Sequence, residues 1–263
     1  MPIPYCFPRI NVISTVLTGA ILTATGFYSP ISTAGDLTFL ENQENAPYMY
    51  RVAGSHSTLP RGYIPALLKY FIDDHKIDVD FLNIPQDQIA ASFAQQKLDA
   101  AVLSAEWVAN TDDFVFSQPL AKYTNVLIAE IKTDAKPQLR FSALKEAFIC
   151  TQKGYHYPEL DKYWDSNNLI RVDFANELSQ LQGLLANHCE YAVIDKATAD
   201  WYLKRSFKKE HLKVAGEGAT IALTIGFRKD KAKYATLLDS TISRLKANGE
   251  LKILQRVYKV SGF

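Results

Sequence analysis

Apolar and polar positions follow two alternating patterns along this chain. Short apolar runs predict strands at Leu37–Leu40, Val79–Leu82 and Ala100–Leu103. Between these runs, apolar residues recur every three or four positions, which predicts helices at Tyr63–His75 and Gln86–Lys97. The first helix is the clearest, because its apolar positions share one face: Ile64, Leu67, Leu68, Phe71 and Ile72.

The second half of the chain repeats this alternation, which is typical of α/β units with mostly parallel sheets. Two longer extended runs, Thr124–Ile131 and Thr220–Arg228, bracket one block of it. We interpret them as connections, so that the chain leaves one lobe, builds a second and returns. The other predicted strands are Ala147–Cys150, Ile170–Val172 and Tyr191–Ile194, and the other predicted helices are Pro158–Trp164, Glu177–Asn187, Lys196–Lys204, Ala232–Ala247 and Glu250–Tyr258.

Residues 1–34 have the pattern of a cleaved export signal. Arg9 is their only cation, the apolar stretch Ile10–Phe27 follows it, and the small residues Ser32-Thr33-Ala34 come next. Cleavage after Ala34 is the favoured interpretation. The alternative is a membrane anchor, but polar residues dilute the stretch below the roughly 20 apolar residues that a stable span needs.

Composition excludes several classes of protein. With 29 basic and 28 acidic residues the chain has no net field that would attract nucleic acid. Five histidines without metal-binding spacing predict no metal site, and no nucleophile elbow or glycine-rich phosphate loop is present. We therefore expect no cofactor, no catalytic residue and no enzymatic activity.

Cysteine usage leaves two interpretations open. Cys6 lies in the predicted signal, so the exported chain would keep Cys150 and Cys189. An even number of cysteines in an exported protein favours a disulfide. Two buried thiols in one lobe are the alternative, because the sequence does not show how far apart they lie.

Several short segments occur in a fixed order along the chain. They are Ala46-Pro47-Tyr48, Gly62-Tyr63, Lys97–Val102, Phe116–Pro119, Gly154–Pro158, Glu190–Asp195 and Leu245–Glu250. Together these segments resemble a known family, the family 3 extracellular solute-binding proteins, which are periplasmic components of polar amino-acid ABC importers. The resemblance implies an α/β fold of the type II periplasmic-binding-protein class, with two lobes joined by two crossing strands and a ligand in the cleft. It also implies a periplasmic location.

This resemblance predicts four segments along the chain. Residues 1–34 would be the signal and residues 35–124 the first part of lobe 1. Residues 125–223 would form lobe 2, and residues 224–263 would return to lobe 1.

One departure from the family pattern concerns the ligand. Amino-acid-binding members usually carry an arginine shortly before the Phe-Ser-x-Pro run, and it grips the ligand carboxylate. Here Asp99–Phe116 contains no Arg or Lys, and Asn110 stands near the arginine's place. The missing contact would cost a carboxylate ligand about 1.5–3 kcal/mol. Asp195 matches the family's acidic residue for a ligand ammonium, so a cationic or neutral ligand is favoured.

Six residues are candidates for ligand contact, and each also has a purely structural interpretation. Tyr48 and Trp107 offer aromatic surface but are equally plausible packing anchors. Tyr155 and His156 belong to a glycine turn between a strand and a helix. Asn110 is a polar loop residue, and Asp195 is either a ligand contact or the N-cap of the following helix.

The function favoured by these observations is capture of a small polar, amino-acid-like solute for import. The expected partner is an ABC permease of the inner membrane, and the protein is expected to be a monomer that binds no nucleic acid. One alternative is a ligand-binding module that serves a separate sensory receptor. Another is an enzyme on the same fold, like cyclohexadienyl dehydratase.

Overall fold

The computed structural model describes residues 35–262, apart from 42–43, 53–58, 109 and 134–137. The predicted signal at 1–34, its cleavage site and Cys6 lie outside the described residues. Among the residues described, no helix is long and apolar enough to cross a bilayer.

The first half of the chain forms short strands around two helices. Its helix α1 spans Tyr63–His75, as predicted, whereas α2 is shorter than the predicted Gln86–Lys97 because its first residues form a 3-10 turn and Gln96 takes a positive φ of 59°. The elements are β1 (Leu37–Leu40), β2 (Glu44–Asn45), β3 (Met49–Tyr50), α1 (Tyr63–His75), β4 (Val79–Leu82), α2 (Ile89–Ala94), β5 (Ala100–Leu103), β6 (Phe114–Phe116) and β7 (Ala121–Glu130).

The second half keeps the predicted order of elements, and most of its elements begin or end at least one residue away from the prediction. The helix predicted from Pro158 begins only at Asp161, and the strand predicted from Ala147 begins at Phe148 and continues to Gln152. The last strand begins at Leu212, well before Thr220. The elements are β8 (Phe148–Gln152), α3 (Asp161–Trp164), β9 (Ile170–Phe174), α4 (Glu177–Leu185), β10 (Tyr191–Asp195), α5 (Lys196–Arg205), β11 (Leu212–Arg228), α6 (Ala232–Ala247) and α7 (Glu250–Tyr258).

Two long antiparallel strands lie at the centre of the main sheet. Its order is β4-β1-β5-β11-β7-β10-β8-β9, with β6 also paired to β11. On one side β1 pairs in parallel with β4 and β5, and on the other β8 pairs in parallel with β9 and β10. The strands β7 and β11 pair with each other, β11 also pairs with β5 on one side, and β7 also pairs with β10 on the other. They are therefore the two crossing strands that the sequence predicted.

The hydrophobic core divides along these crossing strands. The first core draws its residues from 37–121 and 223–260 and packs α1 and α6 against the sheet. The second core consists of two clusters on opposite faces of the other half of the sheet, because Val126 and Ile128 face one cluster while Leu127 and Ala129 face the other. The lobe boundaries at 124/125 and 223/224 remain a prediction.

Cys150 and Cys189 form a disulfide within the second core. Their Cα atoms are 5.6 Å apart and 39 residues separate them in sequence. Cys150 lies in β8, and Cys189 lies in the turn that leads from α4 into β10. The bond therefore ties the turn after α4 to β8, the strand that pairs with β10.

Candidate functional site

A cavity of about 200 Å³ lies between the first core and the second core. Its lining combines residues 40–107 and Leu223 with residues 123–157, so that both cores contribute walls. Six of the lining residues are large aromatic ones: Tyr48, Phe93, Trp107, Tyr123, Tyr155 and Tyr157. Among the described residues that line it, none is Asp, Glu, Lys or Arg.

Four of the six residues proposed from the sequence line this cavity. They are Tyr48, Trp107, Tyr155 and His156. Asn110 is not among the lining residues, since its side-chain amide binds Asp113 and accepts a hydrogen bond from the Asp112 backbone. Asp195 also lies outside the lining. A ligand contact by either of these two remains a prediction.

Tyr48 is held in place by the start of α1. The carbonyl oxygens of Pro47 and Tyr48 accept hydrogen bonds from the Tyr63 and Ile64 backbones at 3.0 and 2.9 Å. Gly62 permits this close approach, because it has a φ of 126° and a Cβ atom there would collide with the Tyr48 carbonyl oxygen. The Ala46-Pro47-Tyr48 and Gly62-Tyr63 segments therefore act as one unit that places an aromatic ring in the cavity wall.

Tyr123 connects the aromatic residues of this wall, and sequence reasoning missed it. Its ring centroid lies 4.9 Å from that of Trp107 in an edge contact and 6.2 Å from that of Tyr48. It precedes by one residue the start of the run predicted as the first crossing strand. The signal was its aromatic character at the point where this strand leaves the first core.

The loop from Gln152 to Tyr157 forms the opposite wall. Gly154 has a φ of 79°, and a Cβ atom there would lie only 2.7 Å from Cγ of Gln86, another lining residue. Arg171 fixes the loop from behind, since its guanidinium donates to the carbonyl oxygens of Tyr155 and Gln152 at 3.1 and 3.2 Å. A short, braced glycine turn thus brings Tyr155 and His156 to the cavity.

Replacing Arg171 with alanine is expected to loosen this loop. Two charge-assisted hydrogen bonds would be lost, and we expect amide hydrogen exchange at Gly154–Tyr157 to accelerate about tenfold. Exchange measured by mass spectrometry on matched peptides checks this. Arg244→Ala is the control, because Arg244 pairs with Asp74 on α1 and should leave the loop unchanged. Equal exchange in both variants would contradict a bracing role for Arg171.

Asp195 lies behind the cavity wall as the N-cap of α5. Its carboxylate accepts hydrogen bonds from the backbones of Ala197 at 2.9 Å, Thr198 at 3.1 Å and Thr124 at 3.3 Å. Only 4% of the residue is exposed. Burial raises the pKa of Asp195 to about 6, although these hydrogen bonds favour the ionised form. Its carboxylate is thus already coordinated by protein donors.

The Tyr48 and Tyr123 hydroxyls lie within the electrostatic field of this carboxylate. Burial raises the pKa of both phenols well above the ordinary value, and the charge of Asp195 raises it further. The Tyr48 hydroxyl approaches Asp195, but within the described part of the chain it has no hydrogen bond of good geometry. Both tyrosines therefore stay protonated and present neutral rings to the cavity.

Asn125 supplies a polar group to the lining that sequence reasoning also missed. Its side-chain Nδ2 donates to Oε1 of Glu159 at 2.6 Å. A carboxylate only accepts, so this bond sets the orientation of the amide and turns Oδ1 away from Glu159. Oδ1 is buried and has no hydrogen-bond partner among the described residues. A buried acceptor on a residue of the cavity lining is thus left unsatisfied.

The β2–β3 hairpin contacts α5 near the cavity. The ring of Tyr50, on the β2–β3 hairpin, lies 5.2 Å from that of Trp201 on α5. Beside it, Oγ1 of Thr198 donates to Oδ1 of Asn45 at 3.4 Å. Asn45 itself lines the cavity. The hairpin therefore contacts both the cavity and the helix that Asp195 caps.

The cavity offers aromatic and aliphatic surface with few titratable groups. His156 is the one histidine among the described lining residues, and its ring pairs with Asp161 at 2.7 Å on the exposed side. Within the described ranges no group of three or more His, Cys, Asp or Glu residues could hold a metal ion. Aromatic surface, aliphatic surface and a few hydrogen-bonding groups are what a ligand would meet.

Comparison with known proteins agrees with this geometry. The profile of the bacterial extracellular solute-binding proteins, family 3, matches residues 37–260. No curated protein matches the chain in sequence. The matched region includes every wall of the cavity.

Solved structures of similar fold include three that share a TM-score of 0.70 with this chain. A mutant of ArgBP from T. maritima is 18% identical, and the match covers 84% of this chain and 94% of that one. AbpA from Streptococcus pneumoniae, an amino acid ABC transporter substrate-binding protein bound to L-arginine, is 21% identical, with 85% and 94% covered.

The third structure is the ancestral amino acid-binding protein AncCDT-1, a precursor of cyclohexadienyl dehydratase. It is 16% identical, with 84% of this chain and 94% of that chain covered. At such identities the likeness establishes the fold. The predicted class, a type II periplasmic-binding-protein fold with two α/β lobes joined by two crossing strands, is confirmed.

Proposed function

This chain belongs to the bacterial extracellular solute-binding proteins of family 3, and from that premise we propose that it captures a small, amino-acid-sized solute between its lobes for ABC import. The observation that carries the proposal is the cavity of about 200 Å³ whose walls come from both cores. A ligand there touches both lobes at once, so its binding energy favours the closed arrangement.

The lobe boundaries follow the same logic. We propose that residues 35–124 and 224–263 form one lobe and that residues 125–223 form the other. The crossing strands β7 and β11 would then absorb the hinge motion, since they are the segments that pass between the two cores. Solved proteins of similar fold include binding proteins for arginine, which supports a ligand of that size.

Location and partners follow from the family. We propose that residues 1–34 direct export, that the protein works in the periplasm as a monomer, and that it delivers its ligand to a permease of the inner membrane. The disulfide between Cys150 and Cys189 supports an oxidising compartment. A role as the ligand-binding partner of a sensory receptor would use the same cavity and the same closure.

We propose that this chain is not an enzyme. One structural neighbour is a precursor of a dehydratase, and such a reaction needs a positioned acid or base. Among the described lining residues, His156 is the one candidate, and it pairs with Asp161 on the exposed side of the loop. Binding without turnover is therefore the function that the geometry favours.

A thermal-shift screen over amino acids, polyamines, sugars and short peptides tests this function. A ligand present at 100 times its Kd is expected to raise the free energy of unfolding by about 2.7 kcal/mol. Trp107→Ala should abolish most of that shift, because it removes an aromatic wall of the cavity. Phe148→Ala is the control, since that ring is 44% exposed and lies outside the lining. If no compound shifts the unfolding temperature, capture is not the function.

A further inference from the structure

We propose that the ligand of this cavity is an uncharged molecule with a ring-sized apolar body and one hydrogen-bond donor. This rests on the proposed function and decides between the two ligand classes, cationic and neutral, that the sequence left open. In this proposal the residues of the cavity wall recognise the ligand without ion pairs. Amino acids, by contrast, are bound through paired charges.

The first support is the absence of a counter-ion. None of the described lining residues is Asp, Glu, Lys or Arg. A charge on a ligand would lose its hydration on entering such a site and would gain no ion pair in return. The cavity thus discriminates against carboxylates and ammonium groups alike, including the pair carried by a free α-amino acid.

The second support is the position of Asp195. Its carboxylate accepts three backbone hydrogen bonds at the start of α5 and lies outside the lining. Tyr48 and Tyr123 line the cavity, whereas Asp195 does not. The group that would receive a ligand ammonium is therefore occupied by the protein itself.

The third support is size and surface. An apolar cavity of about 150 Å³ holds benzene, and this one has about 200 Å³. The remaining volume suits a few further atoms. Aliphatic side chains such as Ile89 and Leu223 line it together with the aromatic ones, so a flat apolar ring would find contact on all sides.

The fourth support is the unsatisfied acceptor of Asn125. Its Oδ1 is buried without a partner in the described structure, and Glu159 holds the amide in that orientation. A ligand N–H or O–H would satisfy this oxygen, and an acceptor would not. The ligand donor is thus expected to meet Oδ1 of Asn125, a residue of the lining.

A series of ligands with one body and different charges tests the proposal. The probes are 3-phenylpropanamide, which is neutral, 3-phenylpropanoate, 3-phenylpropylamine and L-phenylalanine, measured by isothermal titration calorimetry at pH 7.5 on the full secreted chain. We expect the amide to bind at least about 100-fold more tightly than each charged probe. Equal or tighter binding of any charged probe overturns the inference.

Asn125→Leu tests the assigned acceptor. We expect this variant to bind 3-phenylpropanamide about tenfold more weakly, because one hydrogen bond to a buried group is lost. Ethylbenzene, which has no donor, should bind the variant and the parent protein within about twofold. That comparison separates loss of the acceptor from general damage to the cavity, and equal loss for both probes would contradict the assignment.

Failure of the inference and failure of the proposed function give different results. If none of the four probes binds while L-arginine or L-glutamine does, the ligand is charged, the inference falls and capture stands. If neither the four probes nor the wider screen of amino acids, polyamines, sugars and peptides gives any binding, both fall.

Discussion

Replacing both Cys150 and Cys189 with alanine is expected to lower the free energy of unfolding by about 4 kcal/mol. The bond closes a segment of 39 residues, and releasing it increases the conformational freedom of the unfolded chain. That segment contains β9 and α4, which together form one edge of the second core. Guanidinium unfolding followed by circular dichroism measures the change.

A reducing agent provides the matched control for this variant. Dithiothreitol should destabilise the parent protein by a similar amount and leave the alanine variant unaffected. The comparison is needed because Cys150 is fully buried, and its replacement also removes packing. A parent protein whose midpoint does not move under strong reduction would show that the cross-link contributes little.

Replacing Asp195 with asparagine is expected to change how stability depends on pH. Burial raises the pKa of Asp195 from 3.8 to about 6 in the folded protein. The folded state therefore binds more protons than the unfolded state between these two pH values. By linkage, the contribution of Asp195 to the free energy of unfolding is fully present below about pH 3.8 and is lost as the pH rises through about 6.

The asparagine variant lacks this loss, because its amide stays neutral and can still cap α5. Relative to the parent protein, Asp195→Asn should therefore gain about 2.4 kcal/mol of stability between pH 4 and pH 7. Unfolding by guanidinium at each pH gives the difference. Taking a difference cancels the other carboxyl groups, which titrate alike in both proteins.

Asp173 offers a control whose stability should change with pH in the opposite direction. Burial acts to raise its pKa, but hydrogen bonds from Thr151 and Arg171 outweigh burial and lower it overall. Asp173→Asn should therefore lose stability relative to the parent protein as the pH rises from acid to neutral. Parallel pH profiles for the two variants would contradict the environment described for Asp195.

Much of the fold could be predicted from the sequence because its signals are local. The apolar stripe of Tyr63–His75 and that of Ala232–Ala247 gave helices with the observed ends. The crossing strand that begins at Leu212 was predicted too short, because Gly216 and Gly218 resemble a turn in the sequence. In the structure this stretch pairs with β7 through two register shifts, which only a partner strand could reveal.

The residues of the candidate site likewise fall into those that the sequence could predict and those that it could not. Trp107, Tyr155 and His156 could be proposed because they stand where strands end, and ligands of α/β folds bind there. Tyr48 could be proposed as an aromatic residue that directly follows Pro47. Asn125 was out of reach, because it lies within a strand and its role depends on Glu159, which is 34 residues away.

The sequence by itself determined the alternation of strands and helices, the two crossing strands and the family, because periodicity and short motifs act between neighbouring residues. Only the tertiary structure decided which side chains face the cavity, that Asp195 caps a helix behind it, and that Cys150 meets Cys189. Those outcomes depend on how distant strands pair, and pairing sets the direction of every second side chain.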